Sequence, residues 1–246
     1  MNNSEQATDG YWFVRRSIPR ITTGSLVFDS LLGGGLPVCC IVDVFGAAGT
    51  GKTQFCFQNI VTTCQFLNKL SQEGIKAVFV DCSGSFRPER IVEIAEKRSL
   101  DSAKILDSIS SISARSSAEQ FEINQKIEAE TSFSKCRLLI VDDITSNFVS
   151  DYSKESEIPA RQRALSLYAR RLSYLANRKG LSVLLTNSIR SRGDAGEAET
   201  TGEVLSEFAL YRLCLSRIDR QRLATLVQPS LSKQQIIFEI NQSGII

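Results

Sequence analysis

A glycine-rich segment that ends in a lysine and a threonine is the part of this chain best suited to bind phosphate. Its eight residues are Gly46, Ala47, Ala48, Gly49, Thr50, Gly51, Lys52 and Thr53. Glycine lets the backbone curl until its N–H groups point inward at phosphate oxygens. Lys52 neutralises the β- and γ-phosphates, and the Thr53 hydroxyl is a ligand for Mg²⁺. We therefore predict that these residues, with Gln54 directly after them, bind a nucleoside triphosphate.

Two flanking elements must position this segment. The apolar run 41–45 is typical of a strand, and residues 54–72 have the periodicity of a helix, whose N-terminal end adds positive charge. A second apolar run, 137–142, ends in Asp142. An acid at that place fits the Walker B role of holding the Mg²⁺ water shell near Thr53. The other interpretation is that Asp142 is only the polar exit of a core strand.

Composition limits the class of protein. A chain of 246 residues with 23% charged and 42% hydrophobic residues suits one globular α/β domain with a sizeable core. A net charge of +2 is too small to indicate nucleic-acid binding by itself. The 7 cysteines lack metal-type spacing, and the 0 histidines remove the commonest metal ligand and general base. Free cysteines favour a reducing compartment, and neither a signal peptide nor an apolar run of about 20 residues is apparent.

The order of the elements predicts the architecture. Strands and helices alternate as far as residue 186, and three strands then follow without helices between them. This order predicts an α/β fold with a mostly parallel twisted sheet, flanked by helices and extended by C-terminal antiparallel strands. We also expect a weak strand at 105–112, a loop at 147–157 and a mobile loop at 190–203.

Eight short stretches make the chain resemble the RecA-type recombinases, specifically the archaeal RadA/RadB and eukaryotic strand-exchange branch. They are Ile21–Ser25, Gly49–Gln54, Gly84–Arg90, Leu138–Asp142, Asp151–Ser153, Ala160–Gln162, Thr186–Asn187 and Phe238–Asn241. The resemblance covers nearly the whole chain from Ile18 onward. It implies a RecA-like phosphate-loop ATPase core at 18–246 after a flexible segment 1–17. It also implies ATP with Mg²⁺, DNA recombination and repair, assembly with like subunits, and stacking of Arg90 on adenine.

The chain departs from the family where hydrolysis depends on a carboxylate. The family places a glutamate after the strand next to the phosphate loop, where it orients the attacking water, and this chain has Ser83. A serine cannot accept a proton near neutral pH, and general-base assistance contributes about 10²–10⁴ in rate. We therefore expect ATP binding with poor hydrolysis. Asp143 is a possible substitute acid, because other phosphate-loop ATPases place their catalytic acid directly after the Walker B aspartate.

Two further departures concern coupling and assembly. Ser188 stands where the family has a glutamine that senses the γ-phosphate, so coupling between nucleotide and DNA is in doubt. The family also carries an N-terminal helical domain and a Phe-x-x-Ala plug, and neither is evident in the first twenty residues. The aromatic run 11–13 can either anchor a partner or pack on its own core.

The segments that resemble DNA-binding loops carry mixed charge. The first, 148–158, holds Lys154, and the second, 189–204, holds Arg190 and Arg192, but both also contain glutamates that oppose phosphate binding. The helix from residue 159 adds Arg161 and other basic residues, as either a solvated face or a partner surface. Single-stranded DNA is therefore predicted as a weak ligand.

Three functions fit these observations. The first is an ATP-binding recombinase paralog, an accessory or mediator in homologous recombination, whose partner is a RadA-type recombinase or another paralog subunit. The second is an active DNA-dependent ATPase with its own strand exchange, and the third is a KaiC-like regulatory ATP switch without a DNA role. We expect a homo- or hetero-oligomer, no membrane, and a location in archaeal-type cytoplasm or, in a eukaryote, the nucleus.

Overall fold

A computed structural model describes residues 18–70, 73–191, 197–199, 202–219, 221–229 and 234–246. The predicted N-terminal segment 1–17, with its aromatic run 11–13, therefore lies outside the described residues, and so does Arg192. In the described part of the chain, no helix is both long and apolar enough to cross a membrane.

The elements alternate as the sequence predicts. The strands are β1 (Arg20–Ile21), β2 (Leu36–Pro37), β3 (Cys40–Gly46), β4 (Ala77–Asp81), β5 (Ile109–Ser113), β6 (Leu138–Asp142), β7 (Ser182–Ser191), β8 (Glu197–Glu199), β9 (Ala209–Ile218), β10 (Gln221–Gln228), β11 (Gln234–Phe238), β12 (Ile240–Asn241) and β13 (Gly244–Ile245). The helices are α1 (Leu26–Leu31), α2 (Lys52–Lys69), α3 (Pro88–Lys97), α4 (Ser102–Leu106), α5 (Ser117–Ala129), α6 (Ser146–Asp151), α7 (Ile158–Lys179) and α8 (Gly202–Ser206). Short 3₁₀ turns lie at Thr131–Phe133 and Glu155–Glu157.

One large sheet organises these elements, in the order β11-β10-β9-β3-β7-β6-β4-β5. The pairs from β9 to β5 are all parallel, whereas β10 pairs antiparallel with β9 and β11 with β10. The predicted fold class is therefore confirmed. The first of the three late strands, β9, joins the parallel part next to β3, and only the two after it form the antiparallel extension.

The central strands are buried on both faces, which explains their continuous apolar sequences. All residues of β4 and β6 are buried. One hydrophobic cluster packs α2 against the sheet through Phe55, Phe57 and Phe79, and a second packs α7 against the other face through Phe148 and Tyr168. Burying one such aromatic side chain stabilises the fold by about 1.5–3 kcal/mol, so the sheet is fixed from both sides.

Three predicted segments differ from the structure. The predicted strand 105–112 is instead divided between the end of helix α4, at Leu106, and strand β5. The Asp101 side chain accepts the Lys104 N–H at 3.0 Å and caps the start of α4, which stabilises a helix here. The supposed loop 147–157 contains α6 and a 3₁₀ turn, because the buried Phe148 fixes this segment in the core. Within the supposed loop 190–203, β7 continues to Ser191 and pairs with β8.

Candidate functional site

The phosphate-binding segment connects the end of β3 to the start of α2, at the carboxyl edge of the parallel strands. Gly46 pairs with Ser188 of β7 on one side and with Leu215 of β9 on the other. A Cβ atom at Gly46 would lie 2.1 Å from the Leu215 carbonyl oxygen, and φ at this glycine is +155°. Gly51, with φ +113°, precedes the first residue of α2. Only glycine therefore fits at positions 46 and 51, where the loop turns most tightly.

Lys52 holds its ammonium group at this loop. Its Nζ atom donates to the carbonyl oxygens of Gly46 at 2.8 Å and Ala47 at 3.0 Å. An ammonium has three donors, so two contacts leave one for a ligand. Burial lowers the pKa of Lys52, and the charges of Asp143 and Asp142 partly oppose that effect. A partly desolvated cation at the N-terminal end of a helix is well suited to attract a polyphosphate.

The Asp142 carboxylate connects four elements of the site. Its Oδ2 atom accepts hydrogen bonds from the hydroxyls of Thr53, at 2.9 Å, and Ser85, at 2.5 Å. Its Oδ1 atom accepts one from the hydroxyl of Thr186 on β7. The structure thus brings together Thr53 and Asp142, the two predicted Mg²⁺ residues, although they are separated by 89 positions in the chain.

This oxygen set fits Mg²⁺, which prefers hard oxygen ligands and is usually held by one or two protein groups together with water and phosphate. In the described residues, no group of three or more Cys, Asp or Glu side chains is arranged to hold a metal by protein atoms alone. The ion would therefore be held by Thr53, Asp142 and the phosphates. When bound, Mg²⁺ supplies charge neutralisation for the phosphates.

Ser83 lies in a loop that Asp81 holds in place. The Asp81 carboxylate accepts the backbone N–H groups of Ser83 at 3.2 Å, Ser85 at 2.9 Å and Phe86 at 3.1 Å. The Ser83 side chain is exposed, and no hydrogen bond among the described residues uses its hydroxyl. Position 83 is therefore held beside the Asp142 cluster, and the residue there offers no carboxylate.

Asp143 is half-buried and oriented by its neighbours. Its Oδ1 atom lies 3.0 Å from the Thr145 N–H and 2.8 Å from the Thr145 hydroxyl. The same hydroxyl lies 3.0 Å from Oδ1 of the buried Asn187. Asp143 is also the first of the charged groups that oppose the lowering of the Lys52 pKa. Asp143 Oδ1 is thus used at the start of α6, and no hydrogen bond among the described residues uses Oδ2.

Arg90 lies beside the start of α2, with its donors used by the protein. Its Nε atom donates to Gln54 Oε1 at 2.7 Å, and Nη1 contacts Glu93 Oε2 at 2.5 Å. Its guanidinium also donates to the carbonyls of Asn241 and Gln242 in the C-terminal hairpin. These in-plane bonds fix the orientation of the guanidinium. Stacking of adenine on its face stays a prediction.

Sequence reasoning missed two residues of the site, Arg222 on β10 and Ile240 at the C-terminal hairpin. They line a cavity of about 310 Å³ together with Gly49, Gly51, Lys52, Thr53 and Gln54. The Ile240 side chain lies so close to Gly51 that a Cβ there would be 2.8 Å from its Cδ1 atom. Nothing in the local sequence signals these contacts, because they arise only when the antiparallel extension folds beside the phosphate loop.

The candidate DNA-binding residues do not form one described cluster. Lys154 is exposed, whereas Arg161 donates to the Tyr152 carbonyl of the same chain at 3.3 Å. Arg190 lies on β7 opposite Ala198, and its side chain, like Arg192, lies outside the described part.

Several basic residues of α7 are also used internally. Arg171 lies over the Phe121 ring at 5.2 Å, and Arg178 contacts Glu128 at 3.3 Å. Arg163 and Arg170 line a groove of about 460 Å³ against α8. Helix α7 was expected to present either a solvated face with ion pairs or a partner surface. The contacts of Arg171 and Arg178 favour the first interpretation, and the groove beside Arg163 and Arg170 is compatible with the second.

Comparison with known proteins agrees with this geometry. The fold and site define a RecA-like phosphate-loop protein. A family model described as Rad51 matches residues 14–246, and the chain belongs to the Rad51 family. The prediction of a RecA-type recombinase relative is thereby confirmed.

Three relatives illustrate the similarity. The DNA repair and recombination protein RadA of Cenarchaeum symbiosum (strain A) is 34% identical over 240 residues, which cover 94% of this chain and 59% of that protein. The meiotic recombination protein DMC1 homolog A of Oryza sativa subsp. indica is 33% identical, with 94% and 70% covered. The DNA repair protein RAD51 of Mycosarcoma maydis is 31% identical, with 94% and 71% covered. The relatives are thus recombination and repair proteins from archaea and eukaryotes.

Proposed function

We propose that this protein is an ATP-binding recombinase paralog that acts as an accessory or mediator in homologous recombination and DNA repair, and that it hydrolyses ATP weakly. The observation that carries the proposal is a phosphate-binding loop whose neighbouring loop has a serine where the family has its catalytic glutamate. Lys52 donates to the phosphate-binding loop, and Thr53 donates to Asp142. The neighbouring loop, which Asp81 holds through backbone hydrogen bonds, carries Ser83.

Nucleotide binding and hydrolysis make different demands on these residues. Binding needs convergent N–H groups, a cation and a place for Mg²⁺, which the loop, Lys52 and the Thr53–Asp142 pair supply. Hydrolysis also needs a carboxylate that orients and deprotonates water, and the Ser83 hydroxyl does neither effectively near neutral pH. A protein that binds ATP but turns it over slowly remains in one nucleotide-bound form, which suits a subunit that stabilises a partner rather than cycling itself.

The test of nucleotide binding uses two lysines of the same helix. Lys52→Ala removes the ammonium at the loop, and Lys69→Ala removes an exposed one at the other end of α2. Hydrogen bonds to charged groups contribute about 1.5–3 kcal/mol, so we expect Lys52→Ala to weaken Mg·ATP binding at least tenfold and Lys69→Ala to leave it unchanged. Calorimetric titration measures both. Undiminished binding by Lys52→Ala would contradict the proposal.

The accessory role is tested by capture of a RadA-type recombinase. Immobilised protein is mixed with a purified recombinase from the same source, with Mg·ATP or without nucleotide, and in the presence or absence of single-stranded DNA. We expect retention of the recombinase that strengthens with Mg·ATP. No retention under any of these conditions would favour the regulatory switch without a DNA role.

The geometry of Asp143 favours a second function, that of an active ATPase. Its carboxylate is oriented through one oxygen by Thr145, and its charge acts on the Lys52 ammonium group. On this alternative, Asp143→Asn lowers ATP turnover by about 10² or more, whereas on the leading proposal it changes an already slow rate little.

A further inference from the structure

Arg222, on the antiparallel extension, lines the cavity at the phosphate loop. Its cross-strand partners are Phe238 on β11 and Arg217 on β9, and paired residues of neighbouring strands lie on the same face of a sheet. Phe238 packs on Phe28 in the core that surrounds α2. Arg222 is therefore directed to the face of the sheet on which the phosphate loop and α2 lie.

Arg222 has a donor that no described residue satisfies. Its Nε atom is buried and has no hydrogen-bond partner among the described residues, and no carboxylate in that part of the chain lies within 4.0 Å of its guanidinium. Buried polar groups are nearly always paired, and a guanidinium has five N–H donors in a fixed plane. An unpaired cation at the wall of a cavity lined by Lys52 and glycine backbone is well suited to bind an anion.

The position of Arg222 in the sheet decides which part of the anion it reaches. Strand β3 leads into the phosphate loop. On one side of β3 lie β7 and then β6, which carries Asp142. On the other side lie β9 and then β10, which carries Arg222. Mg²⁺ would be held on the Asp142 side, next to the γ-phosphate. Arg222 lines the cavity together with residues of the phosphate loop and the start of α2, namely Gly49, Gly51, Lys52, Thr53 and Gln54, and with Ile240 of the C-terminal hairpin.

We propose that Arg222 is a nucleotide-binding residue that contacts the α- and β-phosphates from the side of the triphosphate opposite Mg²⁺. This inference rests on the proposed nucleotide-binding function and adds a second protein cation to Lys52. Together with Mg²⁺, the two side chains balance the charge of a fully ionised triphosphate. Because the contact does not involve the γ-phosphate, it contributes equally to the binding of ADP and ATP.

The experiment compares Arg222→Gln with Arg217→Gln by calorimetric titration of Mg·ADP and Mg·ATP. Arg217 is the matched control, since it pairs with Arg222 on the same face but is exposed and donates through Nε to the Asp219 carbonyl at 3.1 Å. We expect Arg222→Gln to weaken both nucleotides by the same factor, about tenfold or more, because a charge-assisted contact is lost. Arg217→Gln should bind both as the wild type does.

A merely structural role is separated by melting temperatures with and without nucleotide. If only packing is lost, the melting temperature of nucleotide-free Arg222→Gln falls, but the increment that a fixed concentration of Mg·ADP adds stays as in the wild type. If a ligand contact is lost, that increment becomes smaller at the same concentration. Arg222→Lys, which keeps the charge, should recover part of the increment in melting temperature. Affinities within twofold of wild type for Arg222→Gln, or a loss confined to ATP, overturn the inference.

The result also distinguishes the two proposals. If the wild type binds Mg·nucleotide and Lys52→Ala does not, but Arg222→Gln binds normally, then only the role of Arg222 is wrong. If the wild type binds neither nucleotide, both proposals are wrong.

Discussion

Replacement of Ser83 by glutamate tests the physical reason for proposing weak hydrolysis. The loop that carries Ser83 is held by three backbone N–H contacts to Asp81, and its Ser85 hydroxyl lies 2.5 Å from Asp142. The Ser83 side chain is exposed, so the substitution should change the free energy of unfolding by no more than about 0.5 kcal/mol. Any large change in turnover would then come from chemistry at the site and not from altered folding.

The expected gain follows from the value of a general base. Such a group contributes about 10²–10⁴ in rate, which corresponds to about 2.7–5.4 kcal/mol of transition-state stabilisation. The assay is phosphate release at saturating Mg·ATP, with and without single-stranded DNA. Ser83→Gln is the matched control, because it has the length of glutamate without the basic oxygen. Lys52→Ala in the Ser83→Glu background measures contaminating activity.

A double-mutant cycle with Asp143→Asn makes the result decisive. If the site lacks a base, Ser83→Glu raises turnover and the gain persists in the Asp143→Asn background. If Asp143 already supplies the base, the wild type is brisk, Asp143→Asn is slow, and Ser83→Glu adds little to the wild type. Turnover that is fast in the wild type and the same in Ser83→Glu and Ser83→Gln would refute the reasoning.

Two further predictions concern stability. Gly46→Ala should lower the free energy of unfolding in urea by more than about 3 kcal/mol, because its Cβ would meet the Leu215 carbonyl. Gly49, with φ +77°, has no atom within 4 Å of such a Cβ, so Gly49→Ala should cost only about 1–2 kcal/mol. Equal losses would contradict this explanation. Burial raises the pKa of the Cys64 thiol from 9.0 to about 12. The contribution of this thiol to the free energy of unfolding is therefore complete below pH 9 and is lost as the pH rises towards 12. In Cys64→Ala, the alkaline fall in the free energy of unfolding should be shallower by about 1.4 kcal/mol per pH unit, and an unchanged slope would exclude this thiol as a cause.

The sequence alone determined the phosphate-binding segment and the strands and helices that flank it. A loop of this kind depends on local properties, namely glycine conformations, one lysine and one hydroxyl at fixed spacing, and a helix start. The continuous apolar runs of β3 and β6 also predicted strands, because a strand covered on both faces has no polar alternation to obscure it. Helix α4 and the α6 segment were missed, since short elements depend on single caps and anchors such as Asp101 and Phe148.

Tertiary structure decided what surrounds that loop. The sequence marked Asp142 as a candidate, but only the order of the strands placed its carboxylate against Thr53 and Thr186. Arg222 had no sequence signal, because its proximity to Lys52 comes from the pairing of β10 with β9 beside β3. Residues near in the chain meet through backbone geometry, which local sequence encodes. Residues far apart meet only through sheet order and register, which depend on how the whole core packs.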